Sequence, residues 1–238
     1  MPKKLVDTSD SLPDDLFIQS LYGFVKPGLE RVLGVEKMNR IYERINASGL
    51  LTPGEFSEHV LRHLHVKYTI PADLVERLKK VQGPLIIVCN LPFGGIEALY
   101  LIALMEKVRP DYKLMANQFM KKVQNFSDCL IVVDPNTKDA KKNKNFGPLR
   151  QALTYLQKGG FLGVFPAGEV SAFDFKSRKI QDPDWSAHIS KLVLRTKATV
   201  LPIYFHGYNS LLYQFASLIN PKLRSSLLIR EFVNPDVH

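Results

Sequence analysis

The chain has 238 residues, 45% apolar and 23% charged, which are the proportions of an ordinary globular protein long enough to bury a sizeable core in one domain. A formal charge of +9, from 32 Lys and Arg against 23 Asp and Glu, favours an anionic partner: phospholipid headgroups, an acidic carrier protein or nucleic acid. Pro2 to Asp15 holds no apolar block of signal-peptide length, and the longest apolar stretch, Ile96 to Met105, contains Glu97 and falls well short of the roughly 20 residues that span a bilayer. Membrane contact is therefore expected to be peripheral, from the cytoplasmic side.

In chain order, residues 1–82 read as a helical N-terminal segment that packs on a core formed by residues 83–238. Leu16, Phe17, Ser20, Leu21 and Phe24 share one helical face; Val60, Leu61 and Leu64 share another, after the start signal Thr52-Pro53-Gly54-Glu55. Pro27, Gly28, Gly34 and Gly49 break the region into several short helices. Its expected duties are packing on the core and lining an acyl or membrane-facing groove.

From Gly83 the pattern alternates. Strands are predicted over Leu85 to Cys89, Lys113 to Ala116, Cys129 to Val133, Phe161 to Phe165, Val200 to Phe205 and Leu227 to Phe232. Helices are predicted over Ile96 to Val108, Leu149 to Gln157 and Ser186 to Thr196. Such alternation implies an α/β fold, a mostly parallel central sheet flanked by helices on both faces, whose ligand site lies beyond the carboxyl ends of the strands. Cys89 and Cys129, at the ends of strand-like runs and without metal or redox spacing, read as buried hydrophobes in a reducing compartment. Lys138, Lys141, Lys142 and Lys144 cluster in a loop-like segment with no interleaved aromatic residue before Phe146, which disfavours nucleic acid and leaves a solvated loop or an anionic membrane or carrier surface. His59 and His63 share a helical face with His65 nearby, but the further ligands of a metal site are missing, so none is expected.

Two loops carry the chemical signal. The first strand is followed by Asn90-Leu91-Pro92-Phe93-Gly94-Gly95-Ile96-Glu97, and the Phe161 strand by Phe165-Pro166-Ala167-Gly168-Glu169-Val170-Ser171. Gly168 lets a backbone approach a ligand, and the amides of a loop ahead of a helix can hold a phosphate or carboxylate. Neither a Rossmann glycine fingerprint, a P-loop lysine nor a Gly-x-Ser-x-Gly elbow is present.

Together these loops resemble those of the glycerolipid (lysophospholipid) acyltransferases, most closely the ornithine-lipid and haemolysin-like branch. Leu201-Pro202-Ile203-Tyr204-Phe205-His206-Gly207 looks like the last motif of that family, and Asp182-Pro183-Asp184-Trp185 like a segment of that branch; the resemblance covers roughly Gly83 to Asn234. It implies a fatty acyl chain passed from acyl carrier protein or CoA, as co-substrate with no bound cofactor, to the hydroxyl of a lysolipid. Asn90, Phe93, Gly94, Gly95, Asn117, Lys121, Phe165, Pro166, Ala167, Gly168, Glu169 and Ser171 would contact substrate, with Glu97 as the acidic end of the first motif. The family places a histidine, its general base, where this chain has Leu91, and a glutamate where it has Ala167. Leu91 accepts no proton. His206 is a conceivable surrogate base, equally readable as a hydrogen-bonded structural residue, and Glu97 is equally readable as a partner of its own helix dipole. Two functions remain open: an acyltransferase with an impaired site, or a non-catalytic protein that binds lysolipid or acyl donor at the membrane surface.

Overall fold

The computed structural model describes residues 5–6, 26, 28, 30–133, 146–219 and 221–234. Three helices come first: α1 (Val35–Ile45), α2 (Pro53–His63) and α3 (Ala72–Lys79). Helix α2 starts where its sequence signals it. Thr52 Oγ1 accepts the Glu55 amide at 3.2 Å, the Glu55 carboxylate accepts the Thr52 amide at 3.0 Å, and Pro53 takes the first helical position.

The alternating part then runs β1 (Leu85–Cys89), α4 (Ile96–Val108), β2 (Lys113–Asn117), β3 (Leu130–Val133), α5 (Phe146–Gln157) and β4 (Phe161–Val164). A hairpin of β5 (Ala172–Asp174) and β6 (Lys179–Gln181) follows, then α6 (Ala187–Thr196), β7 (Thr199–Ile203), α7 (Leu211–Ile219) and α8 (Pro221–Val233). The five long strands form one all-parallel sheet in the order β3-β2-β4-β1-β7, as the α/β reading expects.

Strand β1 is buried along its whole length, and its alternate residues feed two cores. Leu85, Ile87 and Cys89 face α4 and the N-terminal helices, whereas Ile86 and Val88 face Ala152 and Leu156 of α5 and Leu192 of α6. Helix α4 lies between the sheet and α2, which explains why the longest apolar stretch of the chain is a core helix. Gly54 permits the close approach, because a Cβ there would stand 2.2 Å from the Glu106 carboxylate of α4. Among the described residues no helix is long and apolar enough to cross a membrane.

Strands β1 and β4 are neighbours in register, Leu85 with Phe161 through Val88 with Val164, so the loops that follow them start side by side. The chain leaves β1 toward α4 on one face and leaves β4 toward α6 on the other. Connections that diverge from adjacent parallel strands open a crevice at their carboxyl ends.

Residues Leu227 to Phe232 are helical, not the predicted strand. A short apolar run fits either state by pattern, and tertiary packing selects the helix: Leu228 and Phe232, one turn apart, both reach the loop after β1. The hairpin β5–β6 and helix α7 were not anticipated from sequence. Leu16 to Phe24, Pro27 and Lys138 to Lys144 lie outside the described residues. Cys89 and Cys129 are free and buried, as expected.

Replacing Thr52 by Ala is expected to cost about 1 kcal/mol in urea unfolding, with Thr52→Ser close to the parent, because only the hydroxyl serves the helix cap.

Candidate functional site

Asn90 ends β1 with a buried side chain that grips the backbone beyond β7: its amide nitrogen donates to the Phe205 carbonyl at 2.8 Å and its oxygen accepts the Phe205 amide at 2.7 Å. The residue expected to contact substrate thus extends the sheet by a side chain. Two donor–acceptor pairs are closed within the protein.

The two motif loops touch. The Leu91 carbonyl accepts the Ser171 amide at 2.9 Å, and a Cβ added to Gly94, which sits at φ 91°, would meet Val170 at 2.8 Å. Asp182 locks the contact. One of its carboxylate oxygens accepts both the Leu91 amide, at 3.2 Å, and the Ser171 hydroxyl, while the other accepts the Trp185 indole N–H at 3.0 Å. The Leu91 side chain itself is half-buried.

Glu97, in the first turn of α4, is fully buried, and its carboxylate turns back onto its own loop. One oxygen accepts the Phe93 and Gly94 amides, and the other accepts the Gly95 amide at 3.1 Å. These amides belong to the loop that runs into the helix N-cap at Gly95, and the buried carboxylate supplies the acceptors they would otherwise lack. Burial pushes its pKa up to about 7 against the pull of the three amides.

The C-terminal helix closes over this loop. A Cβ on Gly95 would stand 2.8 Å from the Phe232 ring, and one on Gly94 would stand 3.0 Å from Leu228. Beneath lies an apolar cavity of about 320 Å³. Met38 and Ile41 of α1, Phe56 and Val60 of α2, Leu99 of α4 and Leu228 of α8 line its walls, and Gly94, Gly95 and Asn117 form its polar edge. The volume is that of a small-ligand pocket. The N-terminal layer supplies one wall, and the lining includes neither Leu91 nor His206.

In the second loop the Gly168 amide closes a turn onto the Phe165 carbonyl at 3.0 Å, with Gly168 at φ 69°, a conformation that favours glycine. Phe165 and Ala167 are half-buried, Pro166 is buried and its carbonyl accepts the Ser186 amide at 3.0 Å; Gly168 is exposed. This loop runs into the β5–β6 hairpin rather than a helix, so no helix start faces a ligand here. Glu169 pairs with Arg224 of α8 at 3.1 Å. Asn117 accepts the Phe119 amide at 3.0 Å and so turns the chain after β2, with Lys121 exposed in the next turn.

His206 lies beyond the end of β7, three residues after Ile203. It is exposed, and its ring packs edge-on against Tyr204 with centroids 4.7 Å apart. Among the described residues no group of three or more His, Cys, Asp or Glu is placed to hold a metal.

Sequence reading missed Asp182, which ties the loops together, and α8, which roofs them. In the sequence, Asp182-Pro183-Asp184-Trp185 marks a resemblance but shows no partner for Asp182. Asn209 was also overlooked; fully buried at the start of α7, it donates to the Phe93 carbonyl at 3.2 Å.

Asn90→Ala is expected to lose about 2 kcal/mol of stability in denaturant titration, because the Phe205 amide and carbonyl are left without partners. Glu97 gives the fold a pH signature. Between about pH 5 and 7 the unfolded carboxyl is ionised while the folded one keeps its proton, so stability falls with rising pH, by at most about 1.4 kcal/mol per unit, and levels off above about 7. Melting temperatures of the parent and Glu97→Gln across that range are expected to diverge accordingly; parallel profiles contradict a raised pKa.

No protein-family model matches the chain and no curated protein matches it, so the functional reading rests on these residues and their geometry.

Proposed function

We propose that this protein is an acyltransferase-like component of membrane lipid metabolism, working peripherally at a cytoplasmic membrane face. It takes a fatty acyl chain, from a carrier-protein or CoA thioester, into the cavity under α8, and a lysolipid at the loops after β1 and β4. The observation that carries this reading is the apolar cavity itself, with Gly94, Gly95 and Asn117 at its edge near the sheet. Apolar walls suit a hydrocarbon tail, and each buried methylene contributes about 0.8 kcal/mol. Lys121, next in sequence to the lining residue Met120, is an exposed cation suited to the phosphates of a donor or headgroup. The motif resemblance points the same way.

Transfer requires the lysolipid hydroxyl oxygen to bond to the thioester carbonyl carbon. The carbon–sulfur bond breaks, and the hydroxyl proton passes through a base to the departing thiolate. At position 91 a leucine occupies the place of that base. The carboxylate of Glu97 is held by three amides of its own loop, and those amides and the Leu91 amide are thereby withdrawn from oxyanion binding. This favours the second reading, a protein that binds acyl donor or lysolipid far better than it turns them over. General-base catalysis contributes about 10² to 10⁴ in rate, so residual transfer from positioning alone is slow.

Two measurements test the proposal. A fluorescent fatty acid is expected to bind the parent and to lose at least about tenfold in affinity on Leu228→Trp, which fills the cavity. Acyl transfer to a panel of lysolipids is expected to be near background in the parent and to rise about a hundredfold on Leu91→His. Parent turnover equal to that of the histidine variant would expose another base, and absence of both fatty-acid binding and transfer in either protein rejects the reading.

A further inference from the structure

Helix α7 is patterned inside out. Its exposed side carries Leu211, Leu212, Phe215, Leu218 and Ile219, with Leu211 at 79%, Phe215 at 62% and Ile219 at 61% exposure. Its buried side carries Tyr213 at 0% and Gln214 at 5%. Gln214 is fully engaged there: its oxygen accepts the Phe173 amide of β5 at 3.0 Å and its nitrogen donates to the Asn209 carbonyl at 3.3 Å. A surface helix of a protein bathed only in water has the opposite arrangement. The turn that leads into α7 adds Tyr204 and Tyr208, both exposed, and the hairpin held by Gln214 adds exposed Phe175, whose ring meets Phe173 at 5.5 Å.

The segment beside this face is basic. The hairpin beside α7 presents Lys176, Arg178 and Lys179 to solvent, while its Asp174 carboxylate is occupied by the Lys176 and Ser177 amides at 3.2 and 3.0 Å. Aliphatic and phenyl side chains at the centre, tyrosines alongside and cations at the edge match the layers of an anionic membrane surface: acyl boundary, carbonyl zone and phosphates.

We infer that α7, with Tyr204, Tyr208 and the basic hairpin, is the surface by which the protein docks on an anionic lipid bilayer. Leu211, Phe215 and Ile219 enter the acyl boundary, and Lys176, Arg178 and Lys179 meet lipid phosphates. The face is continuous with the site. Asn209 at the head of α7 holds the Phe93 carbonyl, and Ser210 bonds to Glu231 of α8, at 2.7 Å through its hydroxyl, so the docked helix braces the helix that roofs the cavity. This deepens the lipid reading above and rests on it only for the link between surface and cavity.

The test uses the full chain with vesicles of phosphatidylcholine alone or of phosphatidylcholine and phosphatidylglycerol in equal parts, sedimented at about 0.1 M salt, where exposed charges are screened beyond about 10 Å. The expected result is binding to the anionic vesicles, weakened at least about tenfold in the double variant Leu211→Ser, Phe215→Ser, with thermal melting and fatty-acid binding unchanged. Lys176→Gln with Lys179→Gln is expected to remove the preference for phosphatidylglycerol. Should the first variant misfold, Tyr204→Ser with Tyr208→Ser replaces it, with the same loss expected. The inference is overturned by a parent that leaves the vesicles in solution, by variants that bind as well as the parent, by a dimer in sedimentation velocity that the double variant dissolves, or by an acidic carrier protein whose capture, rather than that of vesicles, depends on Leu211 and Phe215. Vesicle binding by a parent that takes up no fatty acid supports the docking surface and rejects the cavity's proposed role.

Discussion

The loop after β1 is held almost entirely by its own polar groups, and the geometry of the region follows from that. Asn90 closes onto the Phe205 backbone, the Leu91 amide onto Asp182, and the Phe93, Gly94 and Gly95 amides onto Glu97. Buried backbone amides must find acceptors, and in an enzyme of acyl transfer preorganised amides are commonly kept for substrate oxygen. Here the acceptors are side chains of the protein. The loop is consequently rigid and self-satisfied, a good edge for a cavity and a poor source of free donors for an oxyanion.

Helix α8, braced by α7, makes that loop part of a cavity wall. Gly94 and Gly95 have no side chains, so Leu228 and Phe232 rest directly on the backbone, and larger residues at either position would push the roof away. The roof is tied down at both ends by charge-assisted contacts, Arg224 to Glu169 and Glu231 to Ser210. The cavity is walled by α8, the N-terminal helices and the segment after β2, and α7 packs beside the same roof.

An anionic Glu97 inside the fold is tolerable only because three amides point at it, and burial still raises its affinity for a proton. A histidine at position 91 would emerge from the same loop that this carboxylate braces. Leu91 has no group that could pair with this acid, whose carboxylate is satisfied by the amides of its own loop.

The alternation of strand and helix after Gly83, the apolar runs of β1 and β4, the capping signal at Thr52 and the short separation between each strand and its motif loop were all legible in the residues, because local periodicity and turn chemistry act over a few positions. So was the inability of Leu91 to accept a proton, which is a matter of side-chain chemistry alone. The helical state of Leu227 to Phe232, the engagement of Asn90 with a backbone 115 residues away, the hub at Asp182 and the inverted face of α7 were decided only in three dimensions. Each depends on which distant group stands opposite, and a parallel sheet brings together residues whose separation along the chain contains no trace of that meeting.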